Sequence, residues 1–133
     1  MKVNHIGIIV KSVDREVQLY QRMGCRIVCD IDDENQMNKV VIVRRDDSPD
    51  IELIEPINQY STIINFKSGY HHICYEAEVG ENIVKNFNEM KVGKIFTTPI
   101  VAPALNNRKV VFACLYNGNF VELILWTLNE CAR

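Results

Sequence analysis

Asn4-His5-Ile6-Gly7-Ile8-Ile9-Val10 near the start of the chain, and Gly69-Tyr70-His71-His72-Ile73-Cys74-Tyr75-Glu76 further on, decide the fold. Both have strand length and are rich in β-branched or aromatic residues. Side chains alternate across a strand, so His5, Gly7 and Ile9 share one face and the apolar Ile6, Ile8 and Val10 take the other. The same parity separates His72 and Cys74 from Ile73 and Tyr75. In each strand the apolar face is expected under a helix, leaving the histidine on the open face.

The helix is expected immediately after each strand. Ser12 suits an N-cap, with Asp14 and Glu16 in the first turn, and Val17, Tyr20 and Met23 form one apolar stripe ended by Gly24. The predicted helix spans 13–23, and short strand-like runs follow at 26–30, 38–44 and 51–55. Polar loops, Asp32-Asp33-Glu34-Asn35 and Arg45-Asp46-Asp47-Ser48-Pro49, separate these runs. The order then repeats: strand 71–78, helix 81–91, and runs at 94–97, 109–116 and 120–126, the last two joined by Asn117-Gly118.

Counting from His5 and His72, Val17 and Val84 both lie 12 further on, Tyr20 and Phe87 both 15, and Met23 and Met90 both 18. Lys39-Val40-Val41 is echoed by Lys109-Val110-Val111, and Ile51-Glu52-Leu53-Ile54 by Val121-Glu122-Leu123-Ile124. The chain reads as two copies of βαβββ. Module one covers about 1–58, a linker about 59–68 and module two about 69–128, within one domain covering 1–133.

The chain has 133 residues, 47% of them hydrophobic, enough for one buried core. Its 15 Lys and Arg balance 17 Asp and Glu to a net charge of -2, with no long block of either sign. Nucleic acid and anionic membranes are therefore not the expected partners. No apolar stretch has the length of a membrane span or the form of a signal peptide, and a cytoplasmic protein is expected. Cys25, Cys29, Cys74, Cys114 and Cys131 are odd in number and contain no CxxC pair, so they read as reduced thiols rather than a disulfide framework.

Parity also sets Glu52 with Ile54 against Ile51 and Leu53, and Glu122 with Ile124 against Val121, Leu123 and Leu125. A carboxylate in the middle of such an apolar strand is costly unless it is paired, hydrated or bound to a cation. Two imidazoles and two carboxylates repeated in register, His5, Glu52, His72 and Glu122, offer a mixed nitrogen and oxygen shell for one divalent ion, with room left for substrate. His71 is expected to point to the opposite face from His72, as a packing group rather than a ligand.

These two histidine strands, together with Glu52-Leu53-Ile54-Glu55-Pro56 and Val121-Glu122-Leu123, resemble the glyoxalase and methylmalonyl-CoA epimerase branch of the vicinal oxygen chelate superfamily. The resemblance implies an α+β fold: an incomplete, cupped β-barrel with helices outside, built from the paired modules. It also implies that the four residues hold one metal ion, whether nickel, cobalt, zinc, manganese or iron. The activity implied is an isomerase, epimerase or lyase that moves a proton through a metal-stabilised enolate or enediolate, on a small carbonyl or acyl-thioester substrate. Glu122, and next Glu52, is the expected base. A homodimer is expected as well. The epimerases carry a further Glu in the middle of the first module's sheet, whereas Lys39-Val40-Val41-Ile42-Val43-Arg44 has no acid. Pro99 to Arg108 is expected beside the mouth of the site, with Asn107, Arg108 and Lys109 available to a substrate carboxylate or phosphate. Two other readings use the same fold: a small-molecule or antibiotic binder without turnover, and a ring-cleaving dioxygenase with two His and one Glu.

Overall fold

A computed structural model describes residues 1–127 of the chain; Cys131 and the expected end of module two at 128 lie outside the described residues. The first half runs β1 (Lys2–Ile9), α1 (Val13–Arg22), β2 (Arg26–Asp33), β3 (Asn38–Arg44) and β4 (Asp50–Pro56). The second runs β5 (Gly69–Glu76), α2 (Ile83–Met90), β6 (Gly93–Ile95), β7 (Ile100–Ala102), a 3-10 turn (Pro103–Leu105), β8 (Arg108–Leu115) and β9 (Phe120–Ile124).

All the strands join one mixed sheet in the order β2-β3-β4-β1-β5-β9-β8-β6, with β7 also paired to β8. At its centre β1 and β5 run antiparallel, flanked by the parallel pairs β1–β4 and β5–β9. The two halves therefore mirror each other about the β1–β5 seam. The sheet curls into a half-barrel, and the fold is α+β as expected.

Strand alternation divides the core as the sequence requires. Under α1, Val13 and Val17 pack on Val41, Val43 and Leu53. Under α2, Ile83 and Phe87 pack on Val111, Ala113, Val121 and Leu123. Inside the curl, Ile9, Val40, Ile42 and Ile54 of the first half meet Cys74, Val110 and Ile124 of the second. Ser12 caps α1 by accepting from Arg15 N, and Glu55 of β4 accepts from Val13 N at 2.8 Å, tying the helix start to the sheet. Gly24, at φ 90, turns the chain out of α1.

Three expectations are corrected. Strand β2 continues through Asp33, because its acidic residues stay in register with Lys39 and Asn38 of β3. Helix α2 starts at Ile83 rather than 81: Asn82 caps it by accepting from Lys85 N, while Glu81 is held outside by the Met1 ammonium at 2.9 Å. The strand expected at 94–97 is β6, which ends at Ile95, and a further strand that was not expected, β7, pairs with the other end of the same edge of β8. Pro99, which lacks an N–H, precedes β7, and Thr97 Oγ1 accepts from Phe112 N across the gap.

Candidate metal centre

The register of the central strands decides which side chains meet. Gly7 of β1 stands between Glu52 of β4 and His72 of β5, and Cys74 stands between His5 and Glu122. The small residue in each row leaves room above it, and the long side chains converge there. At Gly7 the fit is tight, since a Cβ would clash with the His72 imidazole.

His5, Glu52, His72 and Glu122 are all buried. His5 Nε2 lies 3.1 Å from Glu122 Oε1, 3.2 Å from His72 Nε2 and 3.5 Å from Glu52 Oε2. His72 Nε2 lies 3.2 Å from Glu122 Oε1 and 3.8 Å from Glu52 Oε1. In an octahedral shell with bonds of about 2.1 Å, neighbouring ligand atoms stand about 3 Å apart; these separations are of that size.

Glu122 Oε1 is, among the described residues, the one buried side-chain oxygen or nitrogen without a hydrogen-bond partner. Both imidazole Nε2 atoms approach it, at 3.1 and 3.2 Å, leaving the three atoms around one point. Such an atom is costly unless something positive fills that point. The donor set therefore fits a divalent ion. Cys74 also comes within reach of His5 and Glu122, but burial raises its thiol well above the usual range and keeps it protonated.

The charges are mutually dependent. Burial alone would lower His5, but Glu52 and Glu122 outweigh it and raise the imidazolium to about 9. Burial raises Glu52, and the neighbouring charge of Glu122 adds to this. Burial opposes ionisation of Glu122 as well, yet the two imidazoles hold it below the usual carboxylate range. At neutral pH the proton on His5 supplies the positive charge that a bound metal would otherwise bring.

The outer nitrogen of each imidazole is fixed by the residue before it. β1 and β5 are out of step at Asn4 and again at His71, so each histidine of the cluster follows a β-bulge. Asn4 Oδ1 accepts from His5 Nδ1–H at 2.8 Å, and His71 Nδ1 lies 2.8 Å from His72 Nδ1. Burial and the neighbouring His72 push His71 down to about 4, so it is neutral and accepts from His72. Both Nε2 atoms are thereby aimed into the cluster. Behind Asn4 the network continues: Asn4 Nδ2 donates to Glu76, whose other oxygen takes Arg108 Nη1 at 2.7 Å.

Two expectations fail here. His71 does not point to the opposite face, because the bulge turns it to the mouth of the half-barrel, where it lies against Phe66 and Phe120. Arg108, Asn107 and Lys109 do not line the cavity over the cluster. Glu76 and Leu105 O hold the Arg108 guanidinium, while Asn107 and Lys109 are exposed. Sequence reasoning missed Asp33, a buried carboxylate that lines this small cavity of about 30 Å³ together with Glu52, His72 and Glu122. It accepts from Asn35 N, Gln36 N and Gln36 Nε2, and burial raises it above the usual range. Its only sequence signal was its place as the second of three acids in a run read as loop.

A half-barrel sheet curled around buried imidazoles and carboxylates defines an α+β protein with a candidate metal centre at the seam of its two halves. The Glyoxalase/Bleomycin resistance protein/Dioxygenase superfamily profile matches residues 4–112, and the chain belongs to that family. It is similar to the mitochondrial methylmalonyl-CoA epimerase of Dictyostelium discoideum, 27% identical over 129 residues, with 92% of this chain and 76% of that protein covered. Among solved structures, methylmalonyl-CoA epimerase from Mycobacterium tuberculosis superposes with a TM-score of 0.80 at 17% identity, covering 99% of this chain and 92% of that one. A hypothetical protein from Bacillus halodurans C-125 gives 0.79 at 23% identity, over 95% and 94%.

Proposed function

We propose that the chain is a divalent-metal-dependent isomerase, epimerase or lyase of glyoxalase type, acting on a small carbonyl or acyl-thioester substrate at a carbon next to the carbonyl. His5, Glu52, His72 and Glu122 would hold the ion, which when bound supplies Lewis acidity against the negative charge of an enolate or enediolate. The observation that carries this reading is the buried convergence of the four side chains, with both imidazole Nε2 atoms on Glu122 Oε1. Similarity to methylmalonyl-CoA epimerases, one of them solved with methylmalonyl-CoA, supports a thioester substrate. Glu52 as a member of the cluster favours a redox-neutral site over the dioxygenase reading.

The chain's own groups carry the proton work. Glu122 is the first candidate to take the proton from carbon and Glu52 the second, either carboxylate acting as it loosens from the ion. On β3 the inward positions are Val40 and Ile42, so no acid from that strand competes for the role. His71 and Asn4 keep the imidazoles oriented and take no part in the transfer.

Solvent deuterium exchange into 2-methyl-branched acyl thioesters and hemithioacetals tests the proposal. The metal-loaded chain is expected to catalyse exchange, and Glu122→Gln to slow it by roughly 100-fold or more. Exchange at the wild-type rate in Glu122→Gln would refute Glu122 as the base, and no exchange across the panel would refute the activity.

A further inference from the structure

Four of the chain's five phenylalanines, Phe66, Phe96, Phe112 and Phe120, line a single cavity of about 340 Å³. It opens beside the cluster and shares Gln36, Ile63, His71 and Phe112 with the small cavity that holds Glu52, His72 and Glu122. Phe112 is the wall between them, its ring 6.1 Å from that of His72. The other rings meet edge-on around Phe120: Phe66 at 5.5 Å and Phe96 at 5.8 Å. Phe66 remains 43% exposed and Phe96 56%. Such a volume is in the range of small-molecule sites, and exposed aromatic surface facing one cavity is stabilised by an apolar occupant.

Charge narrows the occupant further. Among the described residues lining the aromatic cavity there is no Lys, Arg, Asp or Glu. A carboxylate or phosphate placed there would give up water against four phenylalanine rings with no Lys or Arg to pair with it.

We propose that this aromatic cavity binds the non-reacting part of the substrate, and that this part is an uncharged aromatic or branched aliphatic group of about phenyl size. This rests on the proton-transfer reading of the adjacent cluster.

Hydroxamates with one chelating head and different tails test it on the zinc-loaded full-length chain. Phenylacetohydroxamate is expected to bind at least roughly tenfold more tightly than acetohydroxamate, from burial of its ring. Malonic monohydroxamate is expected to bind no more tightly than acetohydroxamate. Phe96→Ser, at a half-exposed position the fold tolerates, is expected to remove most of the phenyl advantage. A second arm needs no metal: phenylacetamide, which has no chelating pair, is expected to shift the ring signals of Phe96 and Phe120 in NMR spectra of the metal-free chain. Should zinc fail to bind while those shifts appear, the metal reading falls and the aromatic cavity stands. Equal affinities for the three tails, or a preference for the carboxylate, would overturn the proposal. So would absent shifts, or shifts that follow protein concentration rather than ligand, the mark of a second copy seated on the cavity.

Discussion

Gly7 is the residue on which the cluster's geometry turns. It separates Glu52 from His72 across the sheet, and a Cβ there would clash with the His72 ring. Gly7→Ala is therefore expected to displace the ring and lower zinc affinity by at least roughly tenfold, with the far-ultraviolet circular dichroism unchanged. Unaltered affinity in a folded Gly7→Ala chain would contradict this packing. Strand parity made His5, Glu52, His72 and Glu122 legible before any coordinates, since alternation alone puts each on the face away from the helix. It also put Gly7 beside them, though only the register with β5 reveals why that position must be small. Arg108 was misread because its partner, Glu76, is remote in sequence, and a basic residue beside a loop carries no sign of such a pairing.

At the scale of elements, the bulges in the β1–β5 seam do more than the strands themselves. Each adds one residue before a cluster histidine and uses its side chain to hold that histidine's Nδ1. Asn4→Ala removes the acceptor for His5 and is expected to weaken zinc binding roughly tenfold. Ser12→Ala, at the cap of α1, is expected to cost about 1 kcal/mol of stability and leave zinc binding alone. Titration calorimetry alongside thermal unfolding checks both, and equal effects of the two variants on zinc affinity would contradict the distinction. Bulges are hard to read from one strand's sequence because they depend on the register of its neighbour. That is why His71 was assigned to the wrong face; β7 was missed because it is only three residues long. Asp33 escaped for a related reason: its polar run looked like loop until pairing with β3 made it strand.

For the whole molecule, the two halves are each incomplete, and burial of charge at their seam is what the curl of the sheet accomplishes. The metal-free chain holds its carboxylates there with help from protonated His5. Because the folded value for His5, about 9, is raised above its ordinary 6.5, this stabilisation is full below about 6.5 and is lost as pH rises through 9. A metal reverses the demand, since a ligating imidazole must give up its proton. Zinc affinity is accordingly expected to rise with pH up to about 9. The decisive measurement is titration calorimetry of the zinc-loaded equilibrium near pH 7 in buffers of different ionisation enthalpy. One equivalent of zinc bound with about one proton released, and loss of that binding in His72→Ala, is the expected result. Less than about a tenth of an equivalent bound, or stoichiometric binding that survives His72→Ala, would contradict the metal centre.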